Sequence, residues 1–169
     1  MEKEIVIVSA ARTPIGSLNG TLSGFSAVDL GVIAAEAAIQ RAGIDPKEIN
    51  ETFVGNILSA GLGQNIARQI AVKSGVSLYS PAMSINLLCG SGLRAVSLAA
   101  QMIETGNSEV ILAGGTESMT NAPYLLTKAR SGYRMGHAEL IDSMIKDGLT
   151  DVFNDYHMGM TAENIAERW

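Results

Sequence analysis

Cys89 is the single cysteine of this 169-residue chain, and its position favours chemistry. It follows an apolar run that ends at Leu88 and precedes Gly90-Ser91-Gly92, a pattern that predicts a sharp turn from a strand into a helix. Such a turn exposes a nucleophile at the carboxyl end of a strand, and glycines allow the tight backbone. The start of the helix favours a thiolate and offers N–H groups to an acyl oxyanion. We therefore expect Cys89 to be a nucleophile, with inert packing as the alternative.

A thiol nucleophile normally needs a base, and the two histidines, His137 and His157, are the candidates in this sequence. Neither has a flanking motif that aims it at Cys89, so no base is identified. One cysteine and two histidines predict no metal site. The glycine-containing stretches at 61–64 and 114–117 complete neither a dinucleotide fingerprint nor a Walker loop, which disfavours nucleotide binding.

The pattern around this turn alternates strands and helices. We predict strands at Glu4–Ser9, Thr52–Leu58, Ala82–Leu88 and Glu109–Ala113, and helices at Ser26–Arg41, Asn65–Ser74 and Ser91–Thr105. The β-branched first run has the pattern of a strand covered on both faces. The order βαβαβαβ requires crossover connections and predicts an α/β fold with a mostly parallel sheet.

The predicted helix after Cys89 is apolar on most of its surface. Its polar residues form one narrow stripe of Arg94, Ser97, Gln101 and Glu104. A helix with so narrow a polar stripe is buried on most sides. We therefore expect further layers of structure, some of them not encoded in this chain.

After residue 118 the sequence becomes rich in loop residues. We therefore divide the chain into an amino-terminal α/β half-domain, residues 1–118, and an inserted region, residues 119–169. A short helical stretch is expected at Glu139–Lys146. A last helix is expected with Thr161 as its N-cap, and it is cut off at Trp169.

Composition narrows the class of protein. Hydrophobic residues make up 47% and charged residues 17%, and the net charge is −5, so disorder is excluded and a partner subunit is expected. The twelve basic residues are scattered, which argues against nucleic-acid binding. No apolar run reaches the roughly 18 residues of a membrane span, and the amino terminus resembles neither a signal nor a transit peptide. We expect a cytoplasmic protein that does not bind membranes.

Six stretches resemble, in the family's order, motifs of the thiolases, and more closely those of the biosynthetic acetyl-CoA acetyltransferase branch. They are Ala11-Arg12-Thr13-Pro14 with Gly16, Gly55-Asn56, Gly61 with Gln64-Asn65 and Ala67-Arg68, Asn86 through Gly92, Gly114-Gly115 with Glu117-Ser118-Met119, and His157-Met158-Gly159 with Thr161-Ala162-Glu163-Asn164. Each stretch alone is a weak signal. Together, and in order, they cover the chain from end to end.

The resemblance implies a role for several residues. Cys89 would be acylated through its sulfur, and the helix after it would lie between two similar halves of the fold. Residues from about 119 onward would begin a lid over coenzyme A, with Leu149, His157 and Met158 lining its pocket. The segment 130–137 resembles the one through which thiolase dimers meet, which implies a homotetramer built as a dimer of dimers.

The resemblance also implies the reaction. It is the reversible condensation of two acetyl-CoA molecules to acetoacetyl-CoA and CoA through an acetylated cysteine, with these thioesters as substrates and no cofactor. A longer-chain 3-ketoacyl-CoA thiolase of fatty-acid degradation is the alternative, although the histidine directly before Met158-Gly159 favours the short-chain branch. A non-enzymatic assembly piece is the second alternative.

Two family motifs are not found in this sequence. Thiolases carry a Gly-His-Pro motif and a Cys-Gly-Gly motif in their carboxyl-terminal half, and the 169 residues contain neither. We therefore expect a fragment that needs the carboxyl-terminal half as its partner and is inactive without it.

Overall fold

The structure is a computed structural model, and it describes residues 4–169. The chain forms two compact units that meet in sequence between residues 121 and 122. In the first unit the elements are α1 (Ala27–Ala42), β1 (Glu51–Gly55), α2 (Ile66–Lys73), β2 (Ala82–Ile85), α3 (Ser91–Glu104) and β3 (Ile111–Gly115), with short 3-10 turns at Pro46–Glu48 and Met119–Asn121. The predicted alternation of strands and helices is therefore present from residue 27 onward.

The first unit is built on a three-stranded parallel sheet in the order β2-β1-β3. Side chains of the central strand alternate between its two faces. Val54 packs in a cluster with α1 and α2, whereas Phe53 packs against Ala95 and Ala99 of α3. The sheet is thus covered by helices on both faces, which confirms the predicted α/β class.

The predicted first strand, Glu4–Ser9, is not a strand in the structure. These residues have no regular structure, and Val6, Ile7 and Val8 are 62%, 78% and 70% exposed. They lie at a cavity of about 560 Å³ that is also lined by α1, α3 and β3. The expectation that this run is covered on both faces is wrong for the described chain, because none of the described strands pairs with it.

The helix after Cys89 is also less covered than expected. Ala95 and Ala99 are buried against the sheet, but Leu93 is 77% exposed. Within residues 4–169, α3 is covered along one face only, because the other elements of the first unit pack on the opposite side of the sheet.

The end of β2 and the start of β3 differ from the predicted positions because asparagine side chains take over the hydrogen bonding there. β2 ends at Ile85, and the next residue, Asn86, accepts the Leu88 N–H with its own Oδ1 at 3.0 Å. β3 begins at Ile111, two residues after the predicted start, because the N–H groups of residues 109 and 110 both donate to Asn50 Oδ1 at 2.9 Å. Side-chain turns of this kind compete with the backbone ladder.

The first two helices begin at side-chain caps, close to the predicted starts. Ser26 and Asp29 form a capping box at the start of α1, and the left-handed Gly43 ends it. The hydrogen bonds from Ser26 lower the pKa of the Asp29 carboxyl below its usual value. α2 is capped by Asn65, whose side chain accepts the Arg68 N–H at 3.1 Å.

The second unit is made of short elements. They are the antiparallel pair β4 (Tyr124–Leu125) and β5 (Ile141–Asp142), the π-helix Met144–Leu149, the antiparallel pair β6 (Thr150–Asp151) and β7 (Tyr156–His157), and α4 (Met158–Arg168). The helix predicted at Glu139–Lys146 is wrong, because pairing with β4 draws residues 141 and 142 into a strand. The predicted Thr161 cap is also wrong, since His157 caps α4 by accepting the Gly159 N–H with Nδ1 at 2.9 Å. No helix among the described residues is both long and apolar enough to cross a membrane.

We expect Gly55→Ala to destabilise the first unit. An added Cβ would lie 2.5 Å from the Ser91 carbonyl carbon and 2.7 Å from the Gly92 nitrogen, which are backbone atoms that cannot turn away. Overpacking of this kind costs about 1–3 kcal/mol, and urea unfolding measures it. Gly114→Ala in β3 is the matched control, because its Cβ would meet nothing within 4 Å. Equal stabilities of the two variants would contradict this packing.

Candidate active site

The turn from β2 into α3, residues 86–90, is held in an unusual backbone conformation. Leu88 has a φ of +49°, whereas Gly90 has a φ of −84°. The glycines therefore do not supply the tight backbone, contrary to the prediction, because the leucine directly before Cys89 takes the left-handed conformation. A bulky residue in that region is strained and persists only where its surroundings hold it.

Ser91 is one of the groups that hold this turn. Its hydroxyl donates to the Leu88 carbonyl at 2.6 Å and accepts the Leu87 N–H at 2.8 Å, and the residue is 4% exposed. The sequence pattern includes this serine only as part of the Gly90-Ser91-Gly92 stretch and predicts no contact for it. Its signal was its place as the first residue of the predicted helix, where a serine hydroxyl can bond to nearby backbone groups.

Cys89 itself is exposed. It lies at the edge of an open cavity of about 350 Å³, whose lining comes from the carboxyl ends of β1 and β3 and the start of α3: Gly55, Asn56, Ile57, Leu88, Cys89, Ser91, Gly92, Gly115, Thr116 and Glu117. The structure thus places the thiol at the carboxyl edge of the parallel sheet, where α/β folds build their sites.

Glycines let the first turn of α3 approach the sheet closely. Gly55 at the end of β1 meets the Ser91 and Gly92 backbone, and a Cβ on Gly115 at the end of β3 would be 3.1 Å from the Gly92 Cα. The start of α3, which follows the Cys89 turn, therefore packs on the ends of two strands through contacts between main-chain atoms.

Glu117 joins the ends of these strands. Its carboxylate accepts the Asn56 side-chain N–H at 2.9 Å, the Ile57 N–H at 2.9 Å and the Leu58 N–H at 3.3 Å. Asn56 also donates to the Thr116 carbonyl at 3.0 Å. Glu117 has no predicted role in the sequence pattern. Its signal was that it and Asn56 stand just after two strands whose carboxyl ends share one edge.

The second unit contains the other candidate residues. β6 begins directly after Leu149, and Thr150 pairs with His157 of β7, so Leu149, His157 and Met158 lie at one end of the same strand pair. Because Nδ1 of His157 is the acceptor of the α4 cap, the proton of the neutral ring lies on Nε2. Nearby, the hydrogen bond from the Asn154 side chain lowers the pKa of Asp151.

The remaining candidate base, His137, is exposed in a stretch without regular structure. Among the described residues no group of three or more histidine, cysteine or carboxylate side chains could hold a metal ion.

Known proteins resemble this chain closely. A family model described as "Thiolase, N-terminal domain" matches residues 5–169. An acetyl-CoA acetyltransferase of Pseudomonas aeruginosa is 52% identical over 167 residues, which are 99% of this chain and 42% of that protein. A probable acetyl-CoA acyltransferase of Staphylococcus aureus is 48% identical over 165 residues, 98% of this chain and 42% of that protein.

A solved structure resembles the fold. The Acat5 thiolase from Ascaris suum, in complex with coenzyme A, superposes with a TM-score of 0.92 and 42% sequence identity, and the match covers 96% of this chain and 42% of that chain. The chain thus spans about 42% of the length of these relatives. Since the family model covers nearly all of it and the relatives share about half of its residues, the chain belongs to the thiolase family, as the six motifs predict.

Proposed function

We propose that the protein of which this chain is part is an acetyl-CoA acetyltransferase that uses Cys89 as its acyl carrier. The observation that carries this proposal is the exposed thiol beside a cavity at the carboxyl edge of the sheet, in a chain 52% identical to an acetyl-CoA acetyltransferase. The substrates are acetyl-CoA, acetoacetyl-CoA and CoA.

The first half-reaction forms an acetyl thioester on the protein. The Cys89 sulfur, as thiolate, attacks the carbonyl carbon of acetyl-CoA, a new S–C bond forms, and the bond to the CoA sulfur breaks. CoA leaves as thiolate and takes up a proton. Storing the acetyl group on the protein divides a difficult condensation into two easier steps.

The second half-reaction transfers the acetyl group. A second acetyl-CoA loses a proton from its methyl carbon to a base, the carbanion attacks the acetyl carbonyl on Cys89, and the cysteine leaves as thiolate to give acetoacetyl-CoA. Thioester exchange needs oxyanion donors and a proton acceptor. We assign the base and a second cysteine to the carboxyl-terminal half that the family resemblance implies, and no cofactor is needed.

We further propose that residues 119–169 begin a lid over coenzyme A. In support, Leu149, His157 and Met158 lie at one end of the β6-β7 pair, where they offer apolar surface and the Nε2–H of a capping histidine. Met158 is 40% exposed, so its thioether is open to a ligand.

The proposed enzyme is a homotetramer, a dimer of dimers, in the cytoplasm. Residues 126–140 are exposed throughout, and Met135 is 98% exposed. An exposed apolar side chain on a loop is typical of a surface that contacts another subunit. The reduced cytoplasm suits a free thiol on which catalysis depends.

A longer-chain 3-ketoacyl-CoA thiolase remains the second candidate, because the Staphylococcus aureus relative is named an acyltransferase at 48% identity. Comparing thiolysis of acetoacetyl-CoA with that of a long-chain 3-ketoacyl-CoA decides between the two. A higher kcat/KM for the long chain would overturn the acetyl assignment.

Cys89 is expected to take up one acetyl group from acetyl-CoA. The protein is incubated with labelled acetyl-CoA, quenched in acid and mapped by mass spectrometry, with Cys89→Ala as the unlabelled control. Label on another residue while Cys89 stays free would refute the proposed mechanism. An unlabelled protein would favour an assembly role without turnover.

The left-handed φ of Leu88 predicts an order of stability among its variants. Asn tolerates this conformation, whereas a β-branched residue does not. We expect Leu88→Val to destabilise the protein by about 1–2 kcal/mol relative to Leu88→Asn. Urea unfolding measures both variants. A valine variant as stable as the asparagine variant would show that the turn does not hold residue 88 in this conformation.

Met158→Asp is expected to raise the KM for the thioester about tenfold, since a loss of about 1.4 kcal/mol in binding is a factor of ten. Met160→Asp, in the same first turn of α4, is the matched control, with an unchanged KM. Steady-state kinetics of thiolysis measure both constants. Equal KM values for the two variants would remove Met158 from the pocket.

A further inference from the structure

The Glu117 carboxylate lines the same cavity as Cys89, yet the reaction as proposed does not use it. Oε2 accepts the Ile57 N–H at 2.9 Å, and Oε1 accepts the Leu58 N–H at 3.3 Å and the Asn56 side-chain N–H at 2.9 Å. All three donors belong to residues 56–58, here named the 56–58 loop, which follows β1. One side chain after β3 therefore holds three consecutive residues after β1.

These three amide N–H groups stabilise the Glu117 carboxylate by hydrogen bonds. Within residues 4–169 the ion pair found joins Lys73 to Asp29, at 3.8 Å, so no cation of the described chain forms an ion pair with Glu117. Hydrogen bonds to an ionised acceptor are roughly twice as strong as those between neutral groups. A glutamine in the same place would turn an NH₂ group toward one of the donors, so the arrangement needs a carboxylate.

The 56–58 loop and Glu117 each continue a strand that supports the Cys89 turn. Gly55, before the loop, meets the backbone of the first turn of α3, and Gly115, before Glu117, is close to the Gly92 Cα. Thr116 also donates its N–H to the Gly55 carbonyl at 3.0 Å. Joining the two strand ends therefore fixes both supports of the turn relative to each other.

We propose that Glu117 is a positioning residue for acyl transfer: it fixes the 56–58 loop, and through the two strand ends it fixes the Cys89 thiol at the cavity. This inference rests on the proposed function. Both oxygens already accept hydrogen bonds from the loop, so the role is to position and not to transfer a proton.

The test compares the Glu117→Gln and Glu104→Gln variants of the whole protein. Glu104 is exposed at the far end of α3, so its variant loses the same charge away from the cavity. Three readouts are needed: deuterium exchange of the peptide containing Ile57 and Leu58, thiolysis of acetoacetyl-CoA across pH, and alkylation of Cys89 by iodoacetamide.

For Glu117→Gln we expect exchange of the peptide about tenfold faster and kcat about tenfold lower, with KM and the midpoints of the pH profile unchanged. Alkylation by a small reagent needs no aligned substrate and stays within about threefold of the wild-type rate. Glu104→Gln matches the wild type in all three. Glu117→Asp keeps both acceptor oxygens on a shorter side chain, so its exchange rate and kcat are expected to lie between those of the wild type and of Glu117→Gln. It replaces the glutamine variant if that variant does not fold.

Three results would overturn the inference. Unchanged exchange would show that Glu117 does not hold the loop, and unchanged kcat with a loosened loop would show that the loop does not position the thiol. A shifted pH midpoint would make Glu117 a proton-transfer group instead. If the wild-type protein takes up no acetyl label, the proposed function is refuted independently of Glu117. Peptide exchange alone then decides whether Glu117 holds the 56–58 loop.

Discussion

The close approach of the first turn of α3 to the parallel sheet is the constraint on which the candidate site depends. At Gly55 the separation leaves no room for a single additional carbon. Because the contact is between main-chain atoms, it fixes the height of the helix start above the sheet more tightly than side chains with several rotamers could. The position of Cys89, directly before that helix, follows from this contact.

Strain and support are combined around the thiol. Leu88 takes a left-handed backbone conformation, which costs free energy for a leucine. The hydroxyl of Ser91 and the side-chain amide oxygen of Asn86 stabilise that conformation by hydrogen bonds. Such conformations persist where the surroundings determine them. The result is a cysteine that is exposed to a ligand and yet directly precedes a helix whose first turn packs closely on the sheet, which is what a nucleophile requires.

The sequence predicts the parallel α/β architecture, the positions of α1 and α2 and the placement of Cys89 at a strand-to-helix turn, because these depend on local patterns. It does not predict the hydrogen bond from Asn56 to Glu117, since that contact joins residues far apart in the chain. It also does not predict the left-handed leucine, because leucine rarely takes this conformation and only the bonds of Asn86 and Ser91 in the folded turn hold it there. The predicted first strand fails for a related reason: its apolar pattern indicates a need for cover, but a strand also needs a neighbour to pair with.

The central claim is that Cys89 carries an acetyl group in a turn whose backbone is fixed before substrate binds. The most direct measurement is a crystal structure of the protein soaked with acetyl-CoA. The account predicts electron density for an acetyl group continuous with the Cys89 sulfur, with Leu88 still at positive φ. Free Cys89 beside bound acetyl-CoA, with Leu88 at negative φ, would contradict both parts of the claim.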